Sequence, residues 1–550
     1  MGEVKEFIHG TSLRGPGHRL KGPVKVVDDT PSRAAAVDNR WPAFAIPHRP
    51  SQPSYAGRMR HHDVVLLGTG SGNTIFTRRF TGLDIAIVEP GPFGGTCLNV
   101  GCIPTKMFVL PADRVQEARD SARLGVRFAD PAVDWPAIRD RVFGRVDPIA
   151  DGGERHRRSQ HNVTVYAASA RFVGERRFAL SSGEQISADR VVVAVGSRPE
   201  GYPVDGLREP APQFGLHTSD TIMRLRELPE TMIIVGGGFV ACEFAHVFSS
   251  LGVRVTQVQR SEHLLRGEDE AVSRRYTELA GERYDLRTQR LVTAAVHDGR
   301  TWRLTLRHTG ESGADSGTAG GGADEREASG RPEGTPETVT APVVLLAVGR
   351  RSNADRLDPA AGGLALTARD RIVVDAEQRT TAPGVWALGD ICNDWQLKHV
   401  ANREARTVSH NLLLDLGRLD PGAQPLQTDH RFVPHAVFGY PQVASFGPTR
   451  RDLIAAGQPF LEKTQAFGDV AYGWALDDRE GFLTVYADPD TERILAAHCI
   501  GPQASTLIQP LIQAATFGQR SHDVARGQYW IHPALSEVVE NALLGLAPAQ

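Results

Sequence analysis

The chain has 550 residues, 41% of them hydrophobic and 23% charged, with a formal net charge of −3 at pH 7. That near balance excludes the global positive field of a nucleic-acid or polybasic membrane-surface protein, and the chain holds no apolar run of about 18 residues that would span a bilayer. Five cysteines (Cys97, Cys102, Cys242, Cys392 and Cys499) in so long a chain suit the reducing cytoplasm, where disulfides are usually catalytic.

Residues 1–60 mix Arg, Pro, Ser and Gly without apolar periodicity, which predicts a disordered extension. Organised sequence begins at Asp63-Val64-Val65-Leu66-Leu67, four residues after Met59, and the expectation is that natural translation starts at Met59. The strand is followed by Gly68-Thr69-Gly70-Ser71-Gly72-Asn73, which predicts a tight turn opening a helix, with a pyrophosphate against the helix N-terminus. Glu89, about twenty residues on, ends a second strand where a carboxylate accepts ribose hydroxyls. Asn73 stands where the motif has its third glycine. An ordinary strand–helix turn is the other reading of this segment.

Next comes Gly94-Gly95-Thr96-Cys97-Leu98-Asn99-Val100-Gly101-Cys102-Ile103-Pro104-Thr105-Lys106. Side chains five residues apart on a helix point about 140° away from each other. A bond between Cys97 and Cys102 therefore needs a distorted first helical turn, which Gly101 and Pro104 flank and permit. A helix N-terminus also favours the thiolate that thiol–disulfide exchange requires, so the pair reads as redox-active. Helices are predicted around 105–120 and 135–160, then strands near 163–174 and 190–195.

A second unit spans 232–259, with Gly236-Gly237-Gly238-Phe239-Val240-Ala241-Cys242-Glu243 after Ile233-Ile234-Val235. Its second strand ends in Gln259-Arg260, with Arg266 close behind; a carboxylate at 259 would suit NAD, whereas arginines suit the 2′-phosphate of NADP(H). A solvated turn is the plainer reading of those arginines. Residues 310–339, rich in Gly, Ser, Ala and acidic residues, predict a flexible insertion between the strand-like runs Trp302–His308 and Val343–Ala347. From about residue 428 the pattern changes, which predicts a separate C-terminal domain. No Cys-x2-Cys pair or other metal-ligand spacing occurs, and no nucleic-acid motif.

Two glycine units with Cys-x4-Cys between them resemble the pyridine nucleotide-disulfide oxidoreductases, over residues 61–547. Further matches are Val195-Gly196-Ser197-Arg198-Pro199, Ala347-Val348-Gly349-Arg350, Gly389-Asp390, Leu397-Lys398-His399-Val400-Ala401-Asn402 and His532-Pro533-Ala534-Leu535-Ser536-Glu537. The resemblance implies an α/β fold of two Rossmann-like domains, for FAD and NAD(P), plus an α+β dimerisation domain. The expected division is FAD-binding 61–208, NADP-binding 209–346, a returning FAD-binding part 347–427 and an interface domain 428–550.

It further implies FAD and NADPH as cofactors, with Cys102 the flavin-side thiolate and Cys97 the interchange thiol. Lys106 and Glu243 would pair beside the flavin, Phe239 would stand at the family's usual tyrosine gate over the flavin, without its hydroxyl, and Val240 would be a further cofactor-binding residue. His532, oriented by Glu537, would be the general acid supplied by the other subunit of a homodimer. Gly95, Thr96, Gly196, Ser197, Arg198, Gly349, Arg350, Gly389, Asp390, His399 and Ala401 would line the flavin dinucleotide; Gly236, Gly238, Arg260 and Arg266 would line the coenzyme. Within the family the matching runs fall nearest the branch reducing mycothione, the disulfide of a low-molecular-weight actinobacterial thiol. Dihydrolipoamide or glutathione-type chemistry, and a redox-inactive flavin-binding scaffold, are the alternatives.

Overall fold

Four consecutive apolar residues, Val64 to Leu67, are the pattern of a strand buried on both faces. In the computed structural model, which describes residues 59–309 and 337–548, they are at most 1% exposed within β1 (Arg60–Leu67). β2 (Ile85–Val88) and β3 (Val163–Tyr166) extend the sheet on one side, all parallel. On the other side β4 (Ala170–Gly174) and β5 (Arg177–Leu180) form a hairpin that feeds antiparallel into the first half of β6 (Gln185–Val193). β6 itself runs parallel to β1. Helices α1 (Gly95–Asn99), α2 (Cys102–Asp120) and α3 (Trp135–Ser159) connect β2 to β3. The readings of residues 1–58 and 310–336 lie outside the described residues; Arg60, placed in the expected extension, already belongs to β1.

The turn after β1 departs from the predicted helix. Residues Ser71–Thr74 and Arg78–Phe80 make only two short 3-10 turns. The β-branched Thr74, Ile75 and Thr77 disfavour a continuous α-helix, and the Thr77 hydroxyl accepts from Arg79 N to start the second turn afresh. Arg157, near the end of α3, then locks the first turn by donating from Nε to Asn73 Oδ1 (2.8 Å) and from Nη2 to Asn73 O (2.5 Å).

The chain leaves this sheet through β7 (Ser197–Pro199) and builds a second one. Its parallel strands are β8 (Leu216–His217), β9 (Thr231–Val235), β10 (Arg254–Val258), β11 (Asp285–Arg287) and, much later in the chain, β15 (Val343–Leu346), in the order β11-β10-β9-β15-β8. Between them run α4 (Ser219–Ile222), α5 (Phe239–Ser250) and α6 (Glu270–Arg283). β12 (Arg290–His297), β13 (Trp302–His308) and β14 (Glu337–Ala341) form an antiparallel layer before β15 (Val343–Leu346) re-enters the parallel sheet. One expectation changes here: Glu337 to Val339, assigned to the flexible insertion, are strand residues. The strands on either side of the insertion, β13 and β15, belong to different sheets.

β16 (Arg350–Ser352) pairs antiparallel with β7, so the outgoing and returning chains form one two-stranded ribbon. β17 (Val385–Ala387) rejoins the first sheet beside the second half of β6, in parallel. Helix α7 (Lys398–Asp415) follows, and its Ala405, Val408, Leu412 and Leu413 pack with Ile75 and Phe80, covering the face the missing helix leaves open. The C-terminal domain is an antiparallel sheet of β18 (Pro434–Val437), β19 (Gln442–Phe446), β20 (Leu461–Ala466), β21 (Phe482–Ala487), β22 (Ile494–Gly501) and β23 (Ala547–Pro548), in the order β18-β19-β22-β21-β20-β23. Helices Gln509–Thr516 and Ser536–Leu544 pack on it around Leu511, Val538 and Val539. Among the described residues no helix is long and apolar enough to cross a membrane.

Candidate active site

The two cysteines meet at a break between helices rather than in one distorted turn. Asn99, buried, donates from Nδ2 to the carbonyls of Phe93 and Gly95 (3.0 Å each) and closes α1 after five residues. Gly101 then caps α2, passing so close that a Cβ there would sit 2.9 Å from Thr96 O. Cys97 therefore lies inside α1 and Cys102 is the first residue of α2. Both are free thiols here. The hydrogen bond that Cys97 gives to Cys102 pulls the Cys102 thiol down to about 7, helped by the Lys106 ammonium against burial and Glu243. The same bond, with burial, pushes Cys97 up, while Lys398 and Lys106 pull the other way. Of the two sulfurs, Cys102 is therefore the one on which the thiolate is favoured.

Lys106, one turn after Cys102 and so on the same face of α2, reaches across to α5. Its Nζ lies 2.7 Å from both carboxylate oxygens of Glu243, which is 4% exposed. Glu243 also accepts from the backbone N of Phe438 at 2.9 Å, and the Phe438 ring lies 4.6 Å from the ammonium. Sequence reasoning missed Phe438; it lies 195 residues from Glu243 and carries no local signal.

His532 precedes a cis bond to Pro533, and its Nδ1 lies 2.7 Å from Glu537 Oε1. Glu537 is held in turn by Ala534 N. The carboxylate on Nδ1 fixes the tautomer and leaves Nε2 for proton chemistry. The imidazole is 69% exposed, on the C-terminal domain. Trp530 is a packing residue, donating to Ala525 O, whereas Tyr529 is fully exposed.

The first nucleotide cradle is lined by bare backbone. Gly70 and Gly95 approach so closely that a Cβ on Gly95 would lie 2.8 Å from Gly70 Cα, and Gly70 starts its turn without a side-chain cap. Glu89 accepts from Thr69 N, Thr69 Oγ1 and Gly91 N, which fixes its carboxylate beside that turn; burial raises its pKa. Asp390 accepts from Ser197 Oγ (2.6 Å), which also accepts from Arg350 Nε (2.9 Å), so Ser197, Arg350 and Asp390 form one network next to Gly196 and Gly349.

Three of the residues expected to line the cofactor have partners within the protein. Arg198 is bound to Asp355, Asn353 and the Ser352 carbonyl. Gly389 N donates to the fully buried Glu404 at 2.6 Å, with Ala401 packed beside the glycine. His399 points its Nε2 at Pro434 O (2.7 Å).

In the second unit Gly236 has φ +131°, and a Cβ would meet Ala347 O at 2.2 Å. Gly237 lies against the Gln259 side chain, whose Oε1 accepts from Arg260 N. At Gly238 a Cβ would meet nothing within 4 Å, and no side chain caps α5 there. Phe239 is 43% exposed beside the partly buried Val240, and Arg260 and Arg266 are exposed along the turn after β10. Uncapped helix or turn N-termini behind glycines that leave room for a ligand fit dinucleotide pyrophosphates in both units.

The described geometry accords with three comparisons. The family model for pyridine nucleotide-disulphide oxidoreductases matches residues 62–405, and the dimerisation domain of the same family matches 433–543. Mycothione reductase of Mycobacterium tuberculosis is 46% identical over 493 residues, covering 89% of this chain and all of that protein. Dihydrolipoyl dehydrogenase of Halobacterium salinarum is 30% identical, over 87% of this chain and 95% of its own. Among solved structures, the HOCl-induced flavoprotein disulfide reductase RclA from Escherichia coli superposes with TM-score 0.72 at 22% identity, covering 88% of this chain and 99% of that one, and so shares the fold. The chain belongs to the pyridine nucleotide-disulphide oxidoreductases, flavoproteins that work with FAD and NAD(P)H, and carries their dimerisation domain.

Proposed function

We propose that this protein is an NADPH-dependent reductase of mycothione acting in the cytoplasm, and that the Cys97–Cys102 pair is its redox centre. The observation that carries the reading is the placement of Cys97 in α1 and Cys102 at the start of α2 across a helix break, with the Glu243-anchored Lys106 one turn away. The 46% identity to a mycothione reductase along its full length supports the substrate. Gln259, in place of a carboxylate, and the neighbouring Arg260 and Arg266 support NADPH.

Bound FAD would relay the two electrons of NADPH to the sulfurs. Lys106, anchored by Glu243, would favour the negative charge that develops on that side. His532 takes the Cys97 proton, so that Cys97 attacks one sulfur of the substrate disulfide; the departing thiolate receives the proton back from His532. Cys102 then attacks the Cys97 sulfur of the mixed disulfide. This releases the second thiol, which a solvent proton completes, and leaves a Cys97–Cys102 disulfide for re-reduction. Overall, one NADPH and one proton convert one disulfide into two thiols. In a homodimer built on the C-terminal sheets, the exposed His532–Glu537 pair of one protomer would serve the cysteines of the other.

The test is steady-state reduction of mycothione, glutathione disulfide and lipoamide with NADPH and with NADH. Mycothione with NADPH is expected to give the highest kcat/KM, and Cys97→Ser to keep the flavin while abolishing turnover. A preference for NADH with lipoamide would overturn the assignment.

A further inference from the structure

Arg266 lies at the apex of a short loop whose two ends are anchored in different domains. At one end Leu265, buried and at φ +52°, donates its N–H to Gly237 O of the coenzyme turn (2.8 Å), and its carbonyl accepts from Ser273 Oγ and Glu268 N. At the other end the Glu268 carboxylate, 8% exposed, leaves the coenzyme domain altogether. One oxygen accepts from His435 Nε2 on β18 (2.6 Å), the other from Ser445 Oγ on β19 (2.7 Å). Asp269 continues the anchor, accepting from Arg450 N and from the Tyr486 hydroxyl.

We infer that the His435–Glu268 clamp is a positioning device for coenzyme choice: the C-terminal domain holds the 265–268 loop, and with it Arg266, in register with the glycine turn. The inference rests on the proposed NADPH reading and adds to it the residues that set Arg266. Neither His435 nor Glu268 belongs to the glycine turn or to the redox pair. Their effect runs through loop geometry: an arginine selects a phosphate by aligning its donor fork, which a shift of about 1 Å spoils. Removing His435 leaves a buried carboxylate with one partner fewer, so Glu268 moves toward water and carries the loop with it. The glycine turn itself lies on the other side of Leu265, whose N–H stays bonded to Gly237 O, so binding of the adenine and pyrophosphate is expected to change little.

The test uses the FAD-loaded full-length enzyme and two probes that differ only in the 2′-phosphate: adenosine 2′,5′-bisphosphate and AMP, titrated calorimetrically. His435→Leu is expected to weaken the bisphosphate about tenfold while AMP changes less than about twofold. In turnover its KM for NADPH should rise by a similar factor with kcat unchanged and NADH kinetics unmoved. His435→Gln, whose amide can still donate to Glu268, should recover most of the loss. Ser445→Ala, which removes the second donor at a buried position with little change of volume, should fall between wild type and His435→Leu. Equal losses for both probes, or none, would overturn the inference. Two failures are distinguishable: a wild type that does not favour the bisphosphate over AMP sinks the NADPH reading and the clamp together, whereas a discriminating wild type with an equally discriminating His435→Leu sinks the clamp alone.

Discussion

The two glycine turns share a motif but use its third position differently. At the first position they are alike. Gly68 (φ +93°) and Gly236 (φ +131°) each press against the carbonyl of an alanine in the next strand-to-loop segment, Ala194 and Ala347, where a Cβ would lie 2.4 and 2.2 Å away. At the second position both leave room, with nothing nearer than 3.9 Å at Gly70 and nothing within 4 Å at Gly238. At the third they part. Ala241 is fully buried in α5, where a small residue lets helix and sheet approach. Asn73 is clasped by Arg157, and no α-helix follows. The close approach moves to Gly72, where a Cβ would meet Ala194 Cβ at 2.6 Å and Leu66 Cδ1 at 3.0 Å. The third glycine is thus a helix-packing requirement, and it lapses when the helix is absent.

The largest effect that would break this comparison is at the first position. Gly68→Val and Gly236→Val each combine a left-handed backbone with a carbonyl collision, and each is expected to cost about 4 kcal/mol or more of stability. Thermal unfolding of the two variants should show similar losses; a mild loss at Gly68 alone would mean the first turn tolerates strain that the second does not. A smaller effect tests the third position. Asn73→Ala removes the Oδ1 acceptor from a guanidinium that is only 9% exposed, leaving Nε without its partner. The expected cost is about 2 kcal/mol, read by chemical denaturation. If Asn73→Gly, which restores the motif, proves more stable than wild type, the clasp has been misjudged.

What could be read from the sequence follows the same division between local and distant causes. Both turns, the cysteine spacing and the His-Pro-x-x-x-Glu run are each patterns of a few neighbouring residues, and the strands before both turns and the helix after the second stand where the pattern predicts. The helix expected after Gly72 does not form because β-branched Thr74, Ile75 and Thr77 disfavour it, whatever the glycines before them permit. The partners that complete the site were not legible. Arg157 lies 84 residues from Asn73, His435 lies 167 from Glu268 and Phe438 lies 195 from Glu243. The side chains of His399 and Arg198 bond a carbonyl of β18 and a carboxylate after β16, pairings that only the folded chain brings within reach.

The second position offers the subtlest test, because there the protein itself raises no objection to a side chain. Gly238 has φ −83°, a conformation alanine adopts without strain, and its Cβ would project into open space at the start of α5. Losing a glycine N-cap costs helix stability, but the unfolded chain also loses freedom, so the net change should stay within about 1 kcal/mol. A pyrophosphate resting on the uncapped α5 terminus would collide with that methyl. Gly238→Ala should therefore unfold at nearly the wild-type temperature, retain its flavin, and bind NADPH about tenfold more weakly. Unchanged coenzyme affinity would place the pyrophosphate away from this turn and leave the resemblance between the two units confined to their first glycines.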